Sequence, residues 1–323
     1  MPFVVLHSEA EWAAVVDHSG QPGQSAAEPT VVTIGNFDGV HLGHQRILGT
    51  VCEIARQAGC KSAVLTFSPH PARVLRPADA PPVLMTLDQR LAAIEALGVD
   101  IAFVLRFDPQ LAAVGAEDFV RRFLVDTLHA RTLLVGGNFR FGHRQSGDVQ
   151  LLVQLGQRWG FDVKTLPPVI KDGIVVSSTA IRAALREGRV EDARNLLGRP
   201  YALAGEIRTG TGQGRKLVVP TLNLATEQEM LPKNGVYATE VAVGGKTYRA
   251  ATNVGVRPTF DGVRVTIESH LFDFSENLTS GQMEVRFWTR LRDEQKFPGP
   301  DALRRQILKD IEEARRYFAA MPT

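Results

Sequence analysis

Apolar and polar positions along the first half of the chain follow two alternating periods. Short apolar runs rich in β-branched residues, at 3–7, 31–34, 62–67, 101–106, 132–135 and 161–166, read as strands. Between them, residues 45–58 place Ile47, Leu48, Val51, Ile54 and Ala55 at helical spacing, and Gly59 ends the pattern. Ser8-x-x-Glu11 and Thr86-x-x-Gln89 are capping boxes that open further helices, the first ending near Asp17 before a polar loop over 18–29. Residues 116–129, 147–159 and 189–197 also carry helical spacing. Strands alternating with helices predict a mostly parallel sheet covered on both faces, with ligands at the carboxyl ends of its strands.

Past Leu197-Gly198-Arg199-Pro200-Tyr201 the period changes. Short β-type runs at 201–207, 218–224, 236–243, 246–253, 266–272 and 283–289 are separated by turns, among them the hairpin signal Gly244-Gly245. About six such strands predict a small antiparallel barrel. A last amphipathic helix over 301–320 lines up Leu303, Ile307, Leu308, Ile311, Ala314 and Phe318. The expected fold class is α/β: an N-terminal Rossmann-like domain with a parallel sheet, then a six-stranded antiparallel β-barrel with a C-terminal helix. The boundary is expected at 186/187, with 187–199 as a short linker helix.

A length of 323 residues suits two domains with adequate cores. The net charge of +2 gives no reason to expect nucleic acid or an acidic membrane surface as partner. The N-terminus is too short and uncharged for a signal peptide, and no apolar stretch suffices to span a bilayer. Cys52 and Cys60 have no metal-like neighbours and read as reduced packing residues. A cytoplasmic enzyme is expected, as a monomer or transient homo-oligomer.

The chemistry concentrates first in Ile34-Gly35-Asn36-Phe37-Asp38-Gly39-Val40-His41-Leu42-Gly43-His44, a glycine-rich loop between a strand and a helix start. Such a loop points backbone N–H groups and the positive end of a helix dipole at one place, which suits phosphate. His41 and His44 can donate to the same phosphate oxygens. Two loop histidines alone would also suit a solvated surface; the strand and the glycines weigh against that. Three other stretches fall at strand or helix ends: Ser68-Pro69-His70-Pro71, Gly136-Gly137-Asn138-Phe139-Arg140-Phe141-Gly142 and Ser177-Ser178-Thr179-Ala180-Ile181-Arg182. Hydroxyls and Arg182 could hold triphosphate charge, although Ser178 or Thr179 would equally serve as a helix N-cap.

These four stretches, in this order, resemble the nucleotide-binding motifs of the prokaryotic bifunctional riboflavin kinase/FAD synthetases. The H-x-G-H element is shared with other adenylyltransferases and class I aminoacyl-tRNA synthetases. The resemblance implies an FMN adenylyltransferase (FAD synthetase) domain over 1–186 and a riboflavin kinase domain over 187–323. It implies that Gly35, Phe37, Asp38, Gly39, His41, His44, Asn138, Ser178, Thr179 and Arg182 bind ATP, with His41 and His44 catalytic.

In the second half, Gly210-Thr211-Gly212-Gln213-Gly214-Arg215-Lys216 is neither a Walker A loop nor a dinucleotide fingerprint, and a flexible hairpin tip would also explain it. Pro220-Thr221-Leu222-Asn223 follows closely. On a strand Thr221 and Asn223 face one side, where a hydroxyl and an amide oxygen suit Mg²⁺ that keeps waters and phosphate oxygens; a solvated face is the plain alternative. Together with Asn253-Val254-Gly255-Val256-Arg257-Pro258-Thr259-Phe260 and Glu268-Ser269-His270-Leu271-Phe272-Asp273-Phe274, these segments resemble the riboflavin kinase module. The resemblance implies ATP/Mg binding by Gly212, Gly214, Lys216, Thr221 and Asn223, with Thr221 and Asn223 holding the metal. It implies flavin contacts from Arg257 and Glu268, and Glu268 as the base for the ribityl hydroxyl. The departures are Leu217-Val218-Val219 for the usual L-G-F and Leu278-Thr279-Ser280-Gly281 for L-Y-G.

The implied reactants are riboflavin, FMN, FAD, ATP, ADP and pyrophosphate, with ATP as co-substrate and Mg²⁺ as cofactor. An adenylyltransferase for pantetheine phosphate or nicotinamide mononucleotide lacks a reason for Pro220-Thr221-Leu222-Asn223 and Glu268. A non-enzymatic flavin sensor would be expected to lose Glu268 or a histidine, and all are present.

Overall fold

Buried β-branched strands make the first half a parallel sheet. In the computed structural model, which describes residues 3–17, 28–208, 220–259, 262–276 and 278–321, the chain forms two compact units, Met1–Val176 and Ser177–Thr323. The first contains β1 (Val4–Leu6), α1 (Glu9–Asp17), β2 (Thr30–Ile34), α2 (Leu42–Ala58), β3 (Lys61–Ser68), α3 (Pro71–Leu75), α4 (Leu87–Glu95), β4 (Ile101–Arg106), α5 (Pro109–Ala112) and α6 (Ala116–Phe119). It continues with β5 (Ala130–Gly136), α7 (Val149–Trp159), β6 (Asp162–Leu166) and the small hairpin β7 (Ile170–Lys171) and β8 (Ile174–Val175). Helix α6 runs straight on as a π-helix over Val120–Thr127, so the stretch expected to be helical over 116–129 is helical as far as Thr127.

The sheet order is β1-β4-β3-β2-β5-β6, every neighbouring pair parallel. Alternate residues of its strands feed opposite faces. Val32, Ile34, Leu65, Phe103 and Leu133 pack with Phe119, Phe123, Leu124 and Leu152 on one side. Val64 and Ala102 pack with Leu48 and Ile94 on the other, where Val31 and Leu134 also meet Val51 and Ala55. Helix α4 is opened by the expected reciprocal box: Thr86 Oγ1 accepts the Gln89 N–H at 3.2 Å, and Gln89 Oε1 accepts the Thr86 N–H at 3.0 Å. Because β2 is followed by β3 on one side and β5 lies on its other side, the sheet reverses its direction of growth between β2 and β5. That crevice is where open parallel sheets hold ligands.

The second unit begins with α8 (Ser178–Glu187) and α9 (Val190–Leu197). It then forms β9 (Tyr201–Arg208), β10 (Leu222–Ala225), β11 (Gly235–Val243), β12 (Lys246–Thr259), β13 (Gly262–Leu271), β14 (Gln282–Asp293) and α10 (Pro300–Ala319). The six strands close as β10-β13-β12-β11-β14-β9, each pair antiparallel. Tyr237, Thr239, Val241, Val285 and Phe287 are buried, and a hydroxyl chain from Thr239 through Thr252 to Ser269 (2.6 and 2.8 Å) satisfies the polar groups among them. Helix α10 lies on the outside, over the cross-strand pair Ala238 and Ala251, with Ala314 and Phe318 against them. Small residues on the barrel let the helix approach. Leu308, expected on that buried face, is half exposed (50%), because the contact stripe runs through Ile311, Ala314 and Phe318.

Candidate active sites

The chain leaves β2 at Ile34 and enters α2 at Leu42, three residues earlier than the apolar spacing suggested. The histidines therefore belong to the helix start and not to a free loop. His41 is the N-cap residue, and its Nδ1 accepts the backbone N–H of His44 at 3.3 Å. The cap has a chemical consequence: a neutral His41 that accepts at Nδ1 carries its proton on Nε2, so the ring's remaining nitrogen is a donor. The His41 and His44 rings stack at 3.6 Å with 17° between planes, and Phe37 meets His44 edge-on at 5.1 Å. Burial, then the cost of adding a charge beside the His41 ring and the Arg90 guanidinium, hold His44 well below the usual imidazole pKa, so it is neutral at physiological pH. Gly43 lies against the His41 ring; a Cβ there would sit 3.2 Å from Cε1 and Nδ1.

The residues between strand and helix have a different task. Phe37 is buried (2%) in the core against α2 and α4, and Asp38 is buried (4%) with its carboxylate accepting the N–H groups of Leu84 (2.9 Å) and Met85 (3.2 Å). Phe37 and Val40 hold positive φ (50° and 38°). Backbone held in this region by its surroundings is the kind of strain found where a loop is shaped for a ligand. Asn36 sits at the end of β2, its amide 3.3 Å from His70 Nε2. His70 Nδ1 caps α3 through the Ala72 N–H, and the Asn36 Nδ2 lies against Nε2 on the other edge of the ring. Asn138 is exposed in the turn after β5, the strand next to β2. The His41–His44 stack and Asn138 thus sit at the ends of the two strands that flank the crevice.

Ser178, Thr179 and Arg182 lie on the first turns of α8, in the second unit. The N-cap is Ser177, whose Oγ accepts the Ala180 N–H at 3.2 Å, and not Ser178 or Thr179, which lie inside the first turn. Arg182 is buried (6%).

On the barrel, strand register assembles the second cluster. Asn223 of β10 is directly opposite Glu268 of β13, and Glu268 is directly opposite Asn253 of β12. All three are partly exposed and alternate with buried Leu222, Leu224, Ile267, Ser269, Thr252 and Val254, so they form one polar row on the outer surface. With neighbouring strands about 4.8 Å apart, the row spans roughly 10 Å. Thr221 precedes β10 and is likewise partly exposed. Its segment is held by His270, whose Nδ1 is 3.0 Å from the Pro220 carbonyl oxygen. Gly212, Gly214, Lys216 and Leu217-Val218-Val219 lie outside the described residues, as does the Arg257 side chain. At the other departure, the Gly281 carbonyl accepts the Ile207 N–H at 2.8 Å.

Comparison with known proteins adds what geometry alone leaves open. The FAD synthetase family model matches residues 23–180, and the riboflavin kinase family model matches residues 197–318. A bifunctional riboflavin kinase/FMN adenylyltransferase of Haemophilus influenzae is 38% identical over 89% of this chain and 94% of its own length. The chain belongs to the bifunctional riboflavin kinase/FMN adenylyltransferase family. The relative of that name in Escherichia coli K12 is 37% identical over 91% of this chain and 95% of its own. A crystal structure described as a macrolide-efflux protein from Streptococcus pneumoniae superposes with a TM-score of 0.85 at 28% identity, covering 98% of this chain and 99% of that one. Among the described residues no helix is long and apolar enough to cross a membrane.

Sequence reasoning missed two members of the barrel cluster in this family member. Asn253 is one; its signal was the strand register that pairs it with Glu268. Glu294, just past β14, is the other: its carboxylate accepts from Asn234 Nδ2 at 3.1 Å. It lies so close over Gly255 that a Cβ there would be 2.5 Å from Oε1, and the same Cβ would be 3.0 Å from Asn253 Nδ2. Among the described residues no group of three or more His, Cys, Asp or Glu could cage a metal ion. The hydroxyl of Thr221 and the amide oxygen of Asn223 are hard oxygen donors, fitting Mg²⁺ that is otherwise bound by water and phosphate.

Proposed function

We infer that the protein makes FMN and then FAD in two successive ATP-dependent transfers, one in each family domain. Riboflavin and ATP give FMN and ADP on the barrel; FMN and a second ATP give FAD and pyrophosphate on the parallel sheet. The observation that carries this is the presence, on one chain, of both family matches, each with its own chemically apt cluster: the stacked histidines beside the β2/β5 crevice and the Asn223–Glu268–Asn253 row. The adenylyltransferase segment is taken as 1–186 and the kinase segment as 187–323, in the cytoplasm.

In the kinase step, the ribityl 5′-oxygen attacks the γ-phosphorus of ATP, its proton passes to the Glu268 carboxylate, and ADP leaves with the electron pair of the broken P–O bond. Positioning and charge neutralisation supply most of the acceleration in such transfers. Thr221 and Asn223 would hold Mg²⁺, which when bound neutralises phosphate charge. Gly212, Gly214 and Lys216 cradle the phosphates, and Arg257 contacts the flavin.

In the adenylyl step the nucleophile is already present as an FMN phosphate oxygen. It attacks the α-phosphorus, and the α–β bridging bond breaks to release pyrophosphate. The protein aligns the groups and stabilises charge. His41 donates through Nε2–H and neutral His44 adds a second donor. Gly35, Gly39 and Asn138 approach the nucleotide with backbone and amide groups, and Ser178, Thr179 and Arg182 take triphosphate charge. Phe37 and Asp38 act from beneath, by shaping the turn.

Purified protein with riboflavin, Mg²⁺ and ATP should yield both FMN and FAD on separation of the flavins. Thr221→Ala should stop FMN formation and leave conversion of supplied FMN to FAD; His44→Ala should do the reverse. Equal loss of both steps in either folded variant would contradict two independent sites.

A further inference from the structure

Beneath the histidine turn lies an arginine that no motif singled out. Arg90, in α4, is 93% buried, being 7% exposed. One guanidinium nitrogen (Nη1) donates to the Asn36 carbonyl at 2.6 Å; the other (Nη2) donates to the Phe67 carbonyl at 2.9 Å. These two carbonyls belong to the places where β2 and β3 cease to pair. The last bond between them runs from the Gly35 N–H to the Leu65 carbonyl at 3.1 Å. One residue further on, the β2 chain turns toward His41 and the β3 chain toward Ser68-Pro69-His70-Pro71. The planar fork of a guanidinium can hold both ends at a fixed separation, which a single ammonium cannot do.

We propose that Arg90 is a positioning residue for adenylyl transfer: it clamps the histidine turn to the Pro-His-Pro turn and so fixes Asn36, His70 and the His41–His44 stack relative to one another. The proposal rests on the adenylyltransferase reading given above. Three further contacts agree with it. Thr66 Oγ1 donates to the same Asn36 carbonyl at 3.4 Å, so this oxygen is a junction of the two strand ends. The Asn36 amide and His70 ring meet at 3.3 Å on the far side of the clamp. Asp38, whose carboxylate is tied to the Leu84 and Met85 N–H groups, is close enough to stabilise the Arg90 charge, which burial alone would disfavour. Arg90 also acts on His44 through space: burial is the first cause that keeps that imidazole neutral, and the guanidinium charge adds to it. The clamp and the charge are separable, because lysine keeps the charge but lacks the rigid planar fork that sets the separation of the two carbonyls.

The test uses the full chain. For Arg90→Lys, kcat for FMN to FAD should fall about 10- to 100-fold, the range expected when reacting groups are displaced by about an ångström. The KM for ATP should stay within about threefold, the mark of an interaction that matters in the transition state more than in binding. FMN formation from riboflavin should be unchanged, and rates are scored per folded fraction from thermal unfolding. Arg90→Met should lose at least as much activity. In that variant the His44 imidazole, followed by NMR, should titrate at higher pH than in wild type and in Arg90→Lys; an equal rise in Arg90→Lys, which keeps the charge, would mark hydration of a loosened turn and overturn the charge role. An Arg90→Lys enzyme within about twofold of wild type, or one altered only in KM, overturns the clamp. An unmoved His44 titration in Arg90→Met overturns the charge role. If wild type itself fails to convert FMN to FAD, the adenylyltransferase reading is what fails.

Discussion

Replacing Gly43 by alanine separates the geometry of the histidine pair from the stability of the helix that carries it. The new Cβ would lie 3.2 Å from Cε1 and Nδ1 of His41, and 3.8 Å from the Val176 carbonyl oxygen. The His41 ring must retreat by a few tenths of an ångström. It has little room to do so, since it is stacked at 3.6 Å on His44. The cap bond from the His44 N–H to Nδ1 is already long at 3.3 Å, so a small retreat takes it past hydrogen-bonding distance. Losing an N-cap costs about 1 kcal/mol. Against that, Gly→Ala within a helix gains up to about 1 kcal/mol, less in a first turn. The two effects nearly cancel, so Gly43→Ala should unfold within a few degrees of wild type. Activity should not cancel: losing the cap removes the bond that sets the His41 tautomer, and a displaced or wrongly protonated donor costs about 10- to 100-fold in FAD formation from FMN. Thermal unfolding and initial rates with saturating FMN and ATP measure the two quantities. A variant that is destabilised by several kcal/mol but fully active per folded molecule would refute the reasoning, as would one unchanged in both.

Three other outcomes follow from separate parts of the molecule. Glu268→Gln should reduce FMN formation by about 10²- to 10⁴-fold while FAD formation from supplied FMN continues, measured on the same preparation. Because His44 has a folded pKa below its ordinary 6.5, the unfolded chain takes up the extra proton between the two values. Stability of the first unit is then full above about pH 6.5 and declines as the pH falls below it; His44→Gln should flatten that decline in unfolding midpoints recorded from about pH 7.5 to 5. In the second unit, Asp310 is buried and accepts from Arg292 Nε (2.8 Å) and Nη2 (2.7 Å) and from Gln306 (2.8 Å), joining α10 to β14. Asp310→Ala leaves the guanidinium without its partner and should cost about 3 kcal/mol, read as a lower denaturation midpoint for the barrel.

What the chain order determined by itself is the pair of architectures and their chemistry. Hydrophobic periods of 3.6 and 2 are local properties, and they marked α2, α4, α7, α10 and most strands of both units. Motif residues at fixed spacing behave likewise: His41 and His44 are separated by Leu42-Gly43, and on a helix start that spacing can only bring them together. Even so, local spacing put the helix start at Gln45, because glycine and histidine carry little apolar signal; the cap bond placed it at Leu42. The remainder depended on contacts between residues far apart in sequence. Register across three strands gathers Asn223, Glu268 and Asn253, and no motif spacing relates residues that lie this far apart on different strands. Packing turned Phe37 and Asp38 inward, although they sit inside the binding motif. The fold of α4 back under β2 and β3 brought Arg90 to Asn36, fifty-four positions away, a meeting written only in the closed sheet.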